Sequence, residues 1–140
     1  MRAGMAGHRI DSLVRSGTWV AVRRGVYAEA AYVAALTTHV QRRVLADRAA
    51  SLRIHGPHAM SHHSSAHLQQ LDVLREQEPR THIGRPGVAG SHVRDAVQYH
   101  LAPYASDQVV HVDGVPALDG ARTSLDIARE HGYLHGRSEE

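Results

Sequence analysis

Apolar residues along this chain keep changing their period, and each change marks an element. Ile10, Leu13 and Val14 recur at helical spacing and Gly17 supplies a stop, so residues 7–16 are expected to form a helix. The period then switches to alternation through Trp19, Val22, Val26 and Tyr27 around the polar hinge Arg23-Arg24-Gly25, which predicts two short strands at 18–22 and 25–28. A linker at 29–32 leads to the longest helical pattern, 33–55. There Leu36, Val40, Val44, Leu45 and Leu52 form the stripe expected inside, and Gln41, Arg42, Asp47, Arg48 and Arg53 the face expected outside. Gly56-Pro57 closes it.

Beyond this point the elements shorten. Residues 58–61 read as a buried strand, and the Ser61 hydroxyl is placed to cap a helix over 63–71. The charged, proline-containing run 75–80 reads as a loop, followed by a strand at 81–85 that Pro86-Gly87 and a glycine-rich turn to Gly90 bring to an end. Further strands are expected at 93–101 and 108–112, with Asp113-Gly114 as a tight turn. A last helix at 118–130 would present Leu118, Ala121, Leu125 and Ala128 on one face, stopped by Gly132. Met1–Met5 are too short for more than a stub of helix, and the chain closes in a short tail at 135–140. There is no internal repeat and no regular strand–helix–strand alternation, so the fold class expected is α+β rather than a doubly wound sheet.

Composition sharpens this picture. With 140 residues the chain makes one compact domain or two very small ones. The absence of cysteine excludes disulfides, thiolate metal sites and a cysteine nucleophile. With no Phe and one Trp, the core must be built from Leu, Val, Ile, Ala and Tyr. No apolar run approaches the ~20 residues of a membrane span, and the N-terminus lacks the apolar core of a signal peptide, so a cytoplasmic protein with no membrane partner is expected. The net charge of +2 is small but locally concentrated, since residues 1–25 hold five arginines against one aspartate. All 16 Lys+Arg positions are arginine, whose planar fork suits phosphate oxygens and guanine edges. A basic helix beside a basic hairpin is the outline of a partial winged helix-turn-helix over 1–30, with a small mixed α/β domain over 31–140. His8, Arg9, Ser12, Arg15, Arg23 and Arg24 are the candidate contacts to double-stranded DNA.

Catalytic chemistry is harder to find. His63 and His67 stand one helical turn apart and His58 lies close to His62, but no HExxH, thiolate or paired carboxylate accompanies them. Neither a metal nor any other cofactor is therefore expected, and His62 reads as a buried hydrogen-bonding residue beside the Ser61 cap. Arg122 and Asp126, four residues apart on the last helix, read as an ion pair, with Arg122 tying that helix to the sheet. With no glycine-rich phosphate loop and no nucleophile–base–acid set, the chain is expected not to be an enzyme.

Several segments nonetheless fall into a familiar order. They are a helix ending in Gly17-Thr18-Trp19, Arg23-Arg24-Gly25-Val26-Tyr27-Ala28, Ser61-His62-His63-Ser64-Ser65-Ala66, Thr81-His82-Ile83-Gly84-Arg85-Pro86, and Val112-Asp113-Gly114-Val115-Pro116 with Ala121-Arg122-Thr123-Ser124-Leu125-Asp126. Over nearly its whole length the chain resembles the AbiEi family, the antitoxins of type IV toxin-antitoxin systems. The resemblance implies a winged-helix head that binds operator DNA and represses its own operon, followed by an α/β region that counters a nucleotidyltransferase-like toxin. Similar heads occur in proteins that end in a Vsr-like nuclease domain. The pattern departs from the family at Ser65 and Gln69-Gln70. It also departs in having only Met1–Met5 where a full first helix is usual, and in ending soon after Gly136, so the chain reads as shortened at both ends. A protein-interaction module, or an inactive remnant of a nuclease-tailed protein, remains as an alternative reading.

Overall fold

A computed structural model describes residues 7–86, 90–101 and 103–132. Met1–Met5, the turn residues 87–89 and the tail at 135–140 lie outside the described residues. The fold is α+β, and its contacts divide the chain into two compact units, residues 1–55 and 56–140.

The first unit opens with helix α1 (Gly7–Arg15). The Gly17 N–H donates to the Val14 carbonyl and the Thr18 N–H to the Leu13 carbonyl, while Gly17 takes φ +79°. This paired reversal demands a left-handed residue and explains why glycine ends the helix. Strands β1 (Trp19–Arg23) and β2 (Val26–Glu29) form an antiparallel hairpin with an irregularity in register between Ala21 and Arg23. Gly25 turns the tip at φ +78°. Trp19 and Tyr27 stack across the strands with ring centroids 6.3 Å apart.

The single long helix expected at 33–55 is two helices, α2 (Ala30–Ala34) and α3 (His39–Leu52). The break lies at Thr37-Thr38, where the β-branched pair gives way to a capping box. The Gln41 N–H donates to Thr38 Oγ1 at 3.1 Å, and the Thr38 N–H donates to Gln41 Oε1 at 3.1 Å. Restarting at His39 also turns the inner face away from the expected stripe. Asp47, Ala49 and Ala50 are buried, whereas Val40 is exposed and Leu52 is 59 % exposed. The small alanines let α3 approach β1 closely, and Asp47, expected outside, is held by Arg43 at 3.2 Å.

The second unit is built on a six-stranded mixed sheet in the order β5-β6-β4-β3-β8-β7. These strands are β3 (Ala59–Met60), β4 (Thr81–Gly84), β5 (His92–Arg94), β6 (Val97–His100), β7 (Val109–Val112) and β8 (Val115–Leu118). Central β3 runs antiparallel to β4 and parallel to β8, and β4 runs parallel to β6. Asp113 (φ +50°) and Gly114 (φ +79°) make the tight turn between β7 and β8, as their sequence demands. The strand expected at 93–101 is instead a hairpin, β5–β6, turned by Asp95 (φ +53°) and Ala96 (φ +62°). That dipeptide lacks the glycine that usually marks such a turn, which hid it from the pattern.

Among the described residues, one helix packs on this sheet and a second packs on the first. Helix α4 (His62–Leu68) lies against β4, β8 and α5, and every one of its residues is buried. Ser61 occupies the N-cap position, but its hydroxyl does not cap the helix, because it bonds to His62 Nδ1 at 3.0 Å instead. Helix α5 (Gly120–Ile127) begins two residues after β8 ends, capped by Asp119, whose carboxylate accepts from the Arg122 N–H at 2.8 Å. Leu118 therefore belongs to the strand, and the face turned inward is Arg122, Thr123 and Asp126 rather than the expected apolar stripe. Leu125 is 46 % exposed. A π-helical turn, Ala128–Gly132, completes the described chain. Among the described residues, no helix is long and apolar enough to cross a membrane.

Candidate functional site

The six residues expected to contact DNA all lie in the first unit. His8, Ser12 and Arg15 recur at i, i+4 and i+7, so they share one face of α1, and Arg9 flanks it. All four are exposed, while the opposite face carries half-buried Ile10 and Leu13. Arg15 is steadied by its Nε donating to the Asp11 carbonyl at 3.4 Å. Arg23 ends β1 half-buried, and Arg24 is exposed in the hairpin turn. The fold adds an arginine that the sequence placed only on an outer helix face. Arg53, at the end of α3, sets its Nη1 3.1 Å from where a Cβ on Gly25 would lie, so its guanidinium sits beside the hairpin tip. The charge of the two units differs in sign: residues 1–55 carry nine arginines against three acids, and residues 56–140 carry seven against eleven.

The second unit gathers histidines that the sequence does not place together. The spacing drew attention to His63 with His67, and to His58 with His62. What converges is His62 from the start of α4, His82 from β4 and His100 from β6, with one ring nitrogen of each within 4.8 Å of the others. His82 is the hinge of the group. Its Nε2 lies 2.7 Å from Glu76 Oε2, and its Nδ1 lies 2.9 Å from His100 Nε2. A carboxylate can only accept, so Nε2 carries a hydrogen and donates to Glu76. The His62 ring stacks on His100 with centroids 3.8 Å apart and planes 16° from parallel. His63 and His67 are buried edge to face on the same helix, with the His63 Nε2 2.9 Å from the Leu74 carbonyl. Glu76, from the run read as a plain charged loop, is a second overlooked member: its carboxylate is folded back over β4.

Burial governs the electrostatics of this group. It lowers the His62 pKa to about 3, with the neighbouring charges of His100, His82, His63 and Arg122 adding to the effect. It likewise lowers His100 to about 4, helped by His82 and opposed by Glu76. Both rings are therefore neutral near pH 7, which allows them to stack. It also means that the 3.6 Å approach of Glu130 Oε2 to His62 Nε2 is a polar contact and not an ion pair. His62 itself sits at φ +49°, a left-handed backbone that costs a non-glycine residue on the order of 1–3 kcal/mol. An open cleft of about 450 Å³ reaches the group past His62, His100, Gln98, Arg129 and Glu130.

The frame around the cluster is polar and hydrogen-bonded across elements. Ser64 Oγ accepts from the His82 N–H at 2.8 Å, which fixes β4 to α4. Ser65 Oγ donates to the Leu118 carbonyl at 2.7 Å and meets Thr123 Oγ1 at 2.7 Å, fixing α4 to β8 and α5. Arg122 Nε holds both Asp126 oxygens, at 2.9 and 3.0 Å, and its Nη1 donates to the Pro103 carbonyl at 2.9 Å. The expected pair on the last helix is thus present, and it is buried.

The chain was compared with protein-family models, curated proteins and solved structures, and none of them matches it.

Proposed function

We propose that the first unit binds double-stranded DNA as a partial winged helix-turn-helix, and that the protein is a non-enzymatic transcriptional autoregulator of the AbiEi antitoxin kind. In this reading the His8/Ser12/Arg15 face of α1 meets the groove while Arg23 and Arg24, joined by Arg53, ride the phosphates at the hairpin. The second unit then serves as the part that faces a nucleotidyltransferase-like toxin.

The observation that carries this reading is the placement of charge. Nine arginines against three acids fall in residues 1–55, on a unit whose first helix has no buried residue. A helix that commits so little surface to its own core leaves its polar face available to a ligand, and a polyanion is the ligand that an arginine-rich face suits. Phosphate contacts release counterions, so affinity should fall steeply with salt, with a slope of about −0.9 in log–log form per phosphate neutralised. The test is a mobility shift on the DNA upstream of the reading frame at two salt concentrations, repeated with Arg23→Ala/Arg24→Ala. Loss of binding in the double variant with retained folding supports the reading. Function that survives the charge removal would instead favour a protein-interaction module that does not touch DNA.

A further inference from the structure

We propose that His62, His82 and His100 form a binding site for a single divalent transition-metal ion of the zinc class, open to solvent through the cleft beside them. Three imidazoles arrive from three separate elements, α4, β4 and β6, and one nitrogen of each falls within 4.8 Å of the others. Ligation at about 2.0–2.1 Å places the nitrogens of a tetrahedral site about 3.3 Å apart. Because an imidazole lone pair lies in its ring plane, the cofacial stack of His62 on His100 opens as the ion binds, one ring turning until both nitrogens face it, and the 2.9 Å contact between His82 and His100 lengthens.

The surroundings complete the chemistry. Glu76 accepts from His82 Nε2 at 2.7 Å, which leaves Nδ1 as the ligating nitrogen and fixes the ring from behind. A carboxylate in that position is the usual outer partner of a metal-bound histidine, where it sets the tautomer and strengthens the ligand. The cleft of about 450 Å³ supplies an entry path. It also leaves room for a fourth ligand, and the exposed Glu130 carboxylate stands 3.6 Å from His62 at that opening. An all-imidazole inner set selects zinc, copper, nickel or iron over magnesium or calcium, which prefer oxygen ligands.

A second trio, His63, Glu76 and His82, also lies within ligand distance and shares His82. The first trio is favoured because His62 and His100 line the cleft, whereas His63 is not among the residues that line it.

The test uses the full, untagged chain after treatment with a chelator, titrated with Zn²⁺ and, for its visible ligand-field bands, with Co²⁺. One equivalent bound at micromolar affinity or better, with a tetrahedral or five-coordinate Co²⁺ spectrum, is the expected result. His100→Gln should abolish the spectrum, Glu76→Gln should weaken binding about 10- to 100-fold while retaining it, and His63→Gln should leave it unchanged. Binding lost in His63→Gln but kept in His100→Gln would overturn the proposal in favour of the other trio. Weak binding of several equivalents, indifferent to either variant, would mean an adventitious ion only and would also overturn it. The wild-type titration decides the matter even if a variant fails to fold, because a chain that takes up no stoichiometric ion has no such site.

Discussion

The two units use polar residues in opposite ways. In residues 1–55 most polar groups stay outside: Arg9, Arg15, Arg24, Arg42 and Arg53 are exposed, and among the described residues the buried set is thin, Val26, Ala28, Ala49 and Ala50 with one charged residue, Asp47. In residues 56–140 polar groups go inside. The buried set there includes Ser61, His62, His63, Ser64, Ser65, His67, Thr81, His82, Arg122, Thr123 and Asp126, beside Met60, Ile83 and Leu118. An exposed cation is ready for a partner and contributes little to stability. A buried polar group is costly unless its bonds are made, and in the second unit Ser64, Ser65, Thr123 and Arg122 each bond to a neighbouring element. The first unit thus offers a charged surface on a light scaffold, and the second a hydrogen-bonded polar interior beside a cleft.

This contrast can be broken from either side, and the largest effect should come from the buried ion pair. Replacing Arg122 with Met strands the Asp126 carboxylate, which is 4 % exposed, and should destabilise the second unit by about 3–5 kcal/mol. The chain's one tryptophan, Trp19, lies in the first unit. Its fluorescence transition should therefore stay in place while the far-UV circular dichroism transition of the second unit moves down. Coincident movement of both signals would show that the units do not hold their stability separately.

Acid should act next most strongly, again on the second unit. His62 is neutral in the folded protein down to a pKa of about 3 but takes up a proton near 6.5 when unfolded. The unfolded state therefore binds the extra proton between these limits, so the stability this residue supports is intact above pH 6.5 and is lost progressively as pH falls toward 3. At about pH 4.5 the metal-free protein should have lost roughly 2–3 kcal/mol, read as a lower urea midpoint at unchanged slope. The smallest effect belongs to the first unit. Thr38→Ala removes half of the capping box on α3 and should cost about 1 kcal/mol, seen in the Trp19 signal.

What could be read from the sequence follows the range of the forces involved. Turns and helix ends set by a single residue were legible: Gly17 at the end of α1, Gly25 at the hairpin tip, and Asp113-Gly114 between β7 and β8 all stand where their backbone demands them. The Arg122–Asp126 pair was legible because it lies within one helical turn. The inner face of α5 was not, because Leu118 belongs to β8 and the helix, capped by Asp119, turns Arg122, Thr123 and Asp126 inward and leaves Leu125 outside. The break in the long helix was missed because apolar residues continue through Leu36 while a Thr38–Gln41 capping box restarts the register. The histidine group lay beyond periodicity altogether. His62, His82 and His100 are about eighteen to twenty residues apart, and only the parallel pairing of β4 with β6 and the packing of α4 on β4 bring them together. The repeated buried serines around His62 and His63 were the one local sign that this helix answers to polar partners.

The claim that most needs a direct test is that the positive unit is a DNA-binding surface. The measurement is the affinity of the full chain for the duplex upstream of its reading frame across a range of salt concentrations. The account predicts binding whose logarithm falls linearly with that of salt, with a slope corresponding to several phosphates, reduced when Arg23 and Arg24 are replaced by alanine. Binding that is absent at low salt, or that is present but indifferent to salt and to these arginines, would contradict it.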